Sequence, residues 1–244
     1  MIFEADSFVF QPPVEVAFAQ RILIKPSAAV AQPHPITTST ETLAAVISGI
    51  RKVSSADIVI LESSARAKKV HTIYKELGYE FPNTMLLDVD QCVPVAIENP
   101  LTKPFAIPTF WVPNIILSCD FLITIAPFKI VADQGSFSIR NLLSLLPASK
   151  YQQEIKGFRG IEKQPGIDNI IADLYFTLPF DLGIIDARKR LISPKDHFQG
   201  KIEDYGKIFI GTPLEVDSEA SNTVDTTTGY LKLIEEVKAK QGGG

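Results

Sequence analysis

Asp57-Ile58-Val59-Ile60-Leu61-Glu62 is the stretch whose reading decides the fold. Four aliphatic residues in succession, with no polar residue alternating, mark a strand buried on both faces, as in a parallel sheet covered by helices. Arg21-Ile22-Leu23-Ile24-Lys25 has the same character and stops at Pro26. Between the two, a Pro-rich loop leads to Thr38-Ser39-Thr40-Glu41, whose hydroxyl-x-x-Glu spacing predicts a capping box at a helix start. Leu43, Val46, Ile47 and Ile50 then recur at helical spacing.

Further along, Ser63 and Ser64 lead into a helix that Gly78 closes as a left-handed cap. Thr84 to Val89 reads as a third strand, and Asp120-Phe121-Leu122-Ile123-Thr124-Ile125-Ala126 as another buried one. A loop is expected from Pro127 to Phe137, then a helix from Ile139 to Leu146, capped by Ser138 and stopped by Pro147. After a polar, flexible crossover come a helix from Ile167 to Leu178 and strands at Asp181–Asp186 and Lys207–Gly211. Glu215 to Lys240 reads as one or two closing helices with a break near Gly229. The stretch from Gln91 to Pro113 carries Pro94, Pro100, Pro104, Pro108 and Pro113, which excludes a long helix and points to edge strands or a hairpin. The expected fold is α/β: a mostly parallel sheet with helices on both faces and a small Pro-rich antiparallel insertion. Residues 1–241 form one domain in this reading, with 91–113 as the insertion and 242–244 as a disordered tail.

Composition narrows the function classes. With 45% hydrophobic and 21% charged residues, the chain has material for a core and is not a disordered polymer. The formal net charge is −4, acids and bases are interspersed, and no basic block is present, so nucleic acid is not an expected partner. Apolar runs such as Phe121 to Phe128 are too short to span a bilayer, so no membrane partner is expected. The first residues, Met1 to Asp6, have no basic, apolar signal-peptide pattern, so a cytoplasmic location is expected. Cys92 and Cys119 lack a CxxC spacing and read as free thiols. No P-loop, GxGxxG, Gly-x-Ser-x-Gly elbow or His/Cys metal cluster occurs, so no cofactor and no metal are predicted.

In open parallel sheets, ligands bind beyond the carboxyl ends of the strands. The residues that leave each apolar run are therefore the candidates: Lys25, Glu62 with Ser63 and Ser64, Lys129, Asp186 with Arg188, and Gly211 with Thr212. Pro26 fixes the turn that aims Lys25. Lys129 stands eleven residues before Arg140-Asn141, which fall in the first turn of the next helix, where unpaired N–H groups favour an anion. Together, Lys25, Glu62, Lys129, Arg140 and Asn141 suit a small anionic ligand, a carboxylate or a phosphate. Asp186 is the candidate catalytic residue, as orienter or proton carrier, although an aspartate in that place also caps a turn. Asp217 and Asp225 read as dipole partners of the closing helix. His34, His71 and His197 are scattered; His34 alone lies where it could reach the rim.

The series Ile22-Leu23-Ile24-Lys25-Pro26-Ser27, Ile60-Leu61-Glu62, Leu77-Gly78-Tyr79, Cys119-Asp120-Phe121-Leu122-Ile123 and Pro127-Phe128-Lys129 has a familiar order. It continues through Ser138-Ile139-Arg140-Asn141-Leu142-Leu143, Leu182-Gly183-Ile184-Ile185-Asp186 and Ile208-Phe209-Ile210-Gly211-Thr212. Over roughly residues 20 to 230 this resembles the family called domain of unknown function 362. The resemblance implies a prokaryotic protein of unassigned activity, in a family some of whose members carry a ferredoxin-like iron–sulfur module. Two isolated cysteines cannot hold such a cluster. The family's Lys-Pro-Asn, Lys-Thr-His, Lys-Asn and Asp-Gly stand here as Lys25-Pro26-Ser27, Lys129-Ile130-Val131, Arg140-Asn141 and Asp186-Ala187. The resemblance thus implies a divergent member. The alternative to a ligand-binding protein is a non-catalytic interaction protein with a degenerate site, partnering a redox or iron–sulfur system.

Overall fold

The aliphatic runs do form the centre of a sheet in the computed structural model, which describes residues 1–65, 68–151, 166–226 and 228–241. The chain opens with β1 (Ile2–Glu4) and β2 (Arg21–Pro26), followed by α1 (Thr40–Val53), β3 (Asp57–Glu62) and α2 (Val70–Leu77). Next come β4 (Thr84–Asp88), the hairpin strands β5 (Pro94–Glu98) and β6 (Thr109–Pro113), then β7 (Phe121–Val131) and β8 (Gln134–Ser136). The helical turn α3 (Ala148–Tyr151) and α4 (Ile167–Thr177) precede the long strands β9 (Leu182–Ser193) and β10 (Lys201–Gly211). Helices α5 (Pro213–Thr223) and α6 (Gly229–Gln241) follow β10.

The main sheet has the order β1-β10-β9-β7-β2-β3-β4, with β8 added beside β7. Strands β9, β7, β2, β3 and β4 are mutually parallel, whereas at one edge β10 runs antiparallel to β9 and β1 pairs antiparallel with β10. Strands β5 and β6 form a separate antiparallel pair within the Pro-rich stretch. The fold is therefore α/β, with a mixed, mostly parallel sheet and a small antiparallel sheet.

Side chains alternate across a strand, and this divides the core. Ile22, Ile24, Ile58, Ile60, Ile123 and Ile125 face the α1–α2 layer and pack with Leu43, Val46 and Tyr74. Leu23, Val59 and Leu61 face the opposite layer, with Leu142, Ile170, Leu174 and Ile234. Helix α5 covers a third cluster around Phe128, Phe137, Ile185 and Phe209.

Several boundaries differ from expectation. The loop expected from Pro127 to Phe137 is instead the continuation of β7 and a tight hairpin to β8. Strand β9 does not end at Asp186 but continues seven residues, and β10 starts six residues before Lys207. The segment after Ser138 is a 3₁₀ turn, Arg140–Leu145, and not an α-helix. At α1 the cap is Ser39, whose Oγ accepts from the Thr42 N–H, so Glu41 stands one place short of a capping box. That motif forms instead between Thr212 and Glu215 at α5. Most of the polar crossover, residues 152–165, and the tail 242–244 lie outside the described residues.

Candidate functional site

Lys25 stands at the end of β2 on the same face as Leu23, pointing into the layer that holds the Arg140–Leu145 turn. Its ammonium is buried, and its three hydrogens are all donated: to Pro26 O at 2.8 Å, Glu62 Oε2 at 2.9 Å and Asn141 Oδ1 at 3.0 Å. The Lys25 and Glu62 side chains are 0% and 1% exposed. Burial pushes the Lys25 ammonium below its ordinary pKa, and Glu62 opposes that shift. Glu62 is held in turn by the N–H groups of Ala28 on Oε2 and Ser63 on Oε1, both at 2.8 Å. Asn141 Nδ2 donates to Lys25 O at 3.2 Å and Thr124 Oγ1 at 3.1 Å. The ends of β2 and β3 and the first half of β7, distant in sequence, are thus tied to the turn by one polar network.

Lys129 lies within β7, beyond the strand end that the sequence pattern suggests. It is 5% exposed and donates from Nζ to Ile36 O at 2.6 Å and His197 O at 3.1 Å. Arg140 opens the 3₁₀ turn, but the expectation of unpaired N–H groups there is corrected. The Asp217 carboxylate accepts the Ser138 and Ile139 N–H groups at 2.8 and 2.9 Å, together with Ser138 Oγ and the Tyr230 hydroxyl. Asp217 is fully buried, and desolvation pushes its carboxyl up to about 6 against those hydrogen bonds. The backbone N–H groups of Ser138 and Ile139 at the head of the turn are therefore already claimed by Asp217.

Between these groups opens a cleft of about 100 Å³, whose walls include Glu62, Lys129, Arg140, Asn141, Ser144 and His197. The Arg140 guanidinium makes no hydrogen bond or ion pair among the described residues. The structure thus brings together Lys25, Glu62, Lys129, Arg140 and Asn141. It does not bring Asp186 to them. Asp186 is buried on the α1 face, where Oδ2 accepts the Ser39 N–H at 2.9 Å and stands 3.6 Å from His34 Nδ1. Arg188 Nε lies 3.9 Å from its other oxygen.

His197 is the cleft residue that its sequence neighbourhood did not reveal. It sits on the β9–β10 loop, and burial, then Arg140 and Lys129, hold its imidazole well below the ordinary pKa. The ring is therefore neutral at physiological pH. The signal that could have found it is the length of β9: extending that strand past Arg188 carries the following loop to the rim. Among the described residues, no cluster of three or more His, Cys, Asp or Glu could hold a metal. None of their helices is long and apolar enough to cross a membrane.

The order of these pieces matches a known family profile, described as domain of unknown function (DUF362), over residues 22–222. The chain belongs to this family. Among solved structures, the DUF362 chain is similar to the lactate racemase apoprotein from Thermoanaerobacterium thermosaccharolyticum, at 17% identity and a TM-score of 0.54. That likeness covers 90% of this chain and 53% of the other, so the chain spans about half the length of that structure. At this identity the likeness concerns the fold. No curated protein matches the DUF362 chain significantly.

Proposed function

We propose that this chain binds a small anionic molecule, a carboxylate or a phosphate, in the cleft at the carboxyl ends of β2, β3 and β7. One observation carries the reading: Arg140 lines the cleft with a guanidinium that makes no hydrogen bond or ion pair among the described residues, and the cation Lys129 lines the same space. A guanidinium fork matches the two oxygens of a carboxylate or phosphate, and such charge-assisted pairs are the strong ones. Lys25 and Glu62 neutralise each other and act from below, holding Asn141 at the cleft wall. Asp186 acts from the other face, fixing Ser39 and so the loop whose Thr37 lines the cleft.

The test is calorimetric titration, at constant ionic strength, with acetate, lactate and inorganic phosphate; lactate is included because the structural neighbour is named for it. Saturable binding is expected for at least one, and thermal unfolding should shift upward with it, by about 2.7 kcal/mol at a hundredfold excess over Kd. Arg140→Ala is expected to lower affinity by about 10- to 100-fold, the loss of one charge-assisted pair. Binding that is unchanged in Arg140→Ala, or absent for all three anions, would sink the proposal.

A further inference from the structure

Arg140 borders a second hollow, a space of about 210 Å³ whose walls include Val131, Gln134, Ile167, Lys195 and Asp196. The two spaces share Ser136, Arg140, His197 and Phe198, so they are compartments of one cleft with Arg140 at the junction.

Their charges can be followed one by one. In the inner compartment the negative charge of Glu62 is matched by Lys25 at 2.9 Å, so Glu62 does not serve Arg140. In the outer compartment Asp196 Oδ1 accepts the N–H groups of Phe198 and Gln199 at 2.7 and 3.0 Å, so its carboxylate shapes its own turn. The Lys195 ammonium has no hydrogen bond or ion pair among the described residues. His197, neutral between Lys129 and Arg140, adds no charge. Each compartment therefore holds a cation, Arg140 at the junction and Lys195 in the outer space, that no carboxylate among the described residues engages. One small anion satisfies Arg140 and leaves Lys195 as it was. The apolar walls of Val131, Ile167 and Phe198 in the outer space suit a short hydrocarbon segment.

We infer that the ligand is a small molecule with two anionic groups on a short chain, one at Arg140 and the other reaching Lys195. This inference rests on the anion-binding reading above and adds the ligand's second end. Linking two anions makes the second contact intramolecular, which raises affinity without changing the first.

The experiment is a titration series in which one end is held constant: acetate against succinate and glutarate, and phosphate against phosphonoacetate, at fixed ionic strength. Wild type, Lys195→Met and Arg140→Met are compared. Lys195 is exposed on a loop, so its substitution leaves folding intact, which circular dichroism checks. A two-ended ligand should bind about tenfold or more tighter than its one-ended counterpart, beyond the statistical factor of about two for equivalent ends. Lys195→Met should abolish that advantage while leaving acetate and phosphate unchanged, and Arg140→Met should weaken every ligand. If one-ended anions bind but two-ended ones gain nothing, the inference falls while the anion site stands. The same holds if Lys195→Met weakens both classes equally. If no anion binds at all, both fall.

Discussion

At the scale of single residues, the most consequential pair is Lys25–Glu62, because both charges are out of water. Removing one partner of such a pair strands the other, typically at about 3–5 kcal/mol, whereas replacing both can be nearly neutral. Lys25→Met is expected to lose about that much stability in urea denaturation. Adding Glu62→Gln, whose amide oxygen still accepts from Ala28 or Ser63, should restore more than half of the loss. A Lys25→Met variant within about 1 kcal/mol of wild type, the worth of a surface pair, would show the pair to be solvent-screened. These residues were legible in the sequence because each directly ends an uninterrupted aliphatic run. His197 was not. Its strand passes through Ala187-Arg188-Lys189-Arg190, a charged run that reads as the departure from the core, yet there β9 still pairs with β10 and rejoins β7 at Arg190.

At the scale of elements, β7 explains the other shortfall. Proline within a strand removes a ladder donor and normally argues for an edge or an end. Here Pro127 sits where the β7–β9 register shifts: Pro127 lies opposite Asp186, but Phe128 lies opposite Arg190. The missing N–H falls at that irregularity, so the strand survives it and carries Lys129 into the cleft. Two further elements depend on single residues. Gly183 opens β9 against α5, where an added Cβ would lie 2.8 Å from Val216 Cγ2 and 2.9 Å from Pro213 Cα. Gly183→Ala should therefore destabilise by about 1–3 kcal/mol through forced separation of α5 from the sheet, measurable by chemical denaturation. Asp173, on α4, accepts from Asn99 Nδ2 and from the N–H groups of Phe105, Ala106 and Ile107, and so pins the β5–β6 loop. Asp173→Ala should speed amide exchange at those three positions while leaving β2 and β3 protected; uniform acceleration throughout the sheet would contradict a local clamp.

At the scale of the whole molecule, stability should respond to acid in two opposing ways. His34 and His197 are held below their ordinary pKa, foremost by burial. The unfolded chain therefore takes up protons first as pH falls below about 6.5, and folding weakens. Asp217, raised to about 6, has the reverse sign: the folded state binds its proton first, so acid between about pH 6 and 4 relieves a cost. The variant His34→Gln/His197→Gln should lose less stability than wild type between about pH 7.5 and 5, by roughly 1 kcal/mol for each histidine removed. Equal slopes in the two proteins would refute this. Much of this architecture was readable, since uninterrupted aliphatic runs and helical spacing name the parallel strands and their cover. The lateral order of the strands was not, because nothing local in Ile2-Phe3-Glu4 indicates that it pairs with Lys207-Ile208-Phe209.

That last pairing has a consequence for biosynthesis. Strand β1 leaves the ribosome well before β10, its neighbour in the sheet among the described residues, since Glu4 and the Lys207 opposite it are 203 residues apart in the chain. It must therefore wait, with its backbone groups and the side chain of Phe3 unclaimed, while the parallel centre condenses behind it. During that interval it is an open edge available to other nascent chains, until the arrival of β10 seals it.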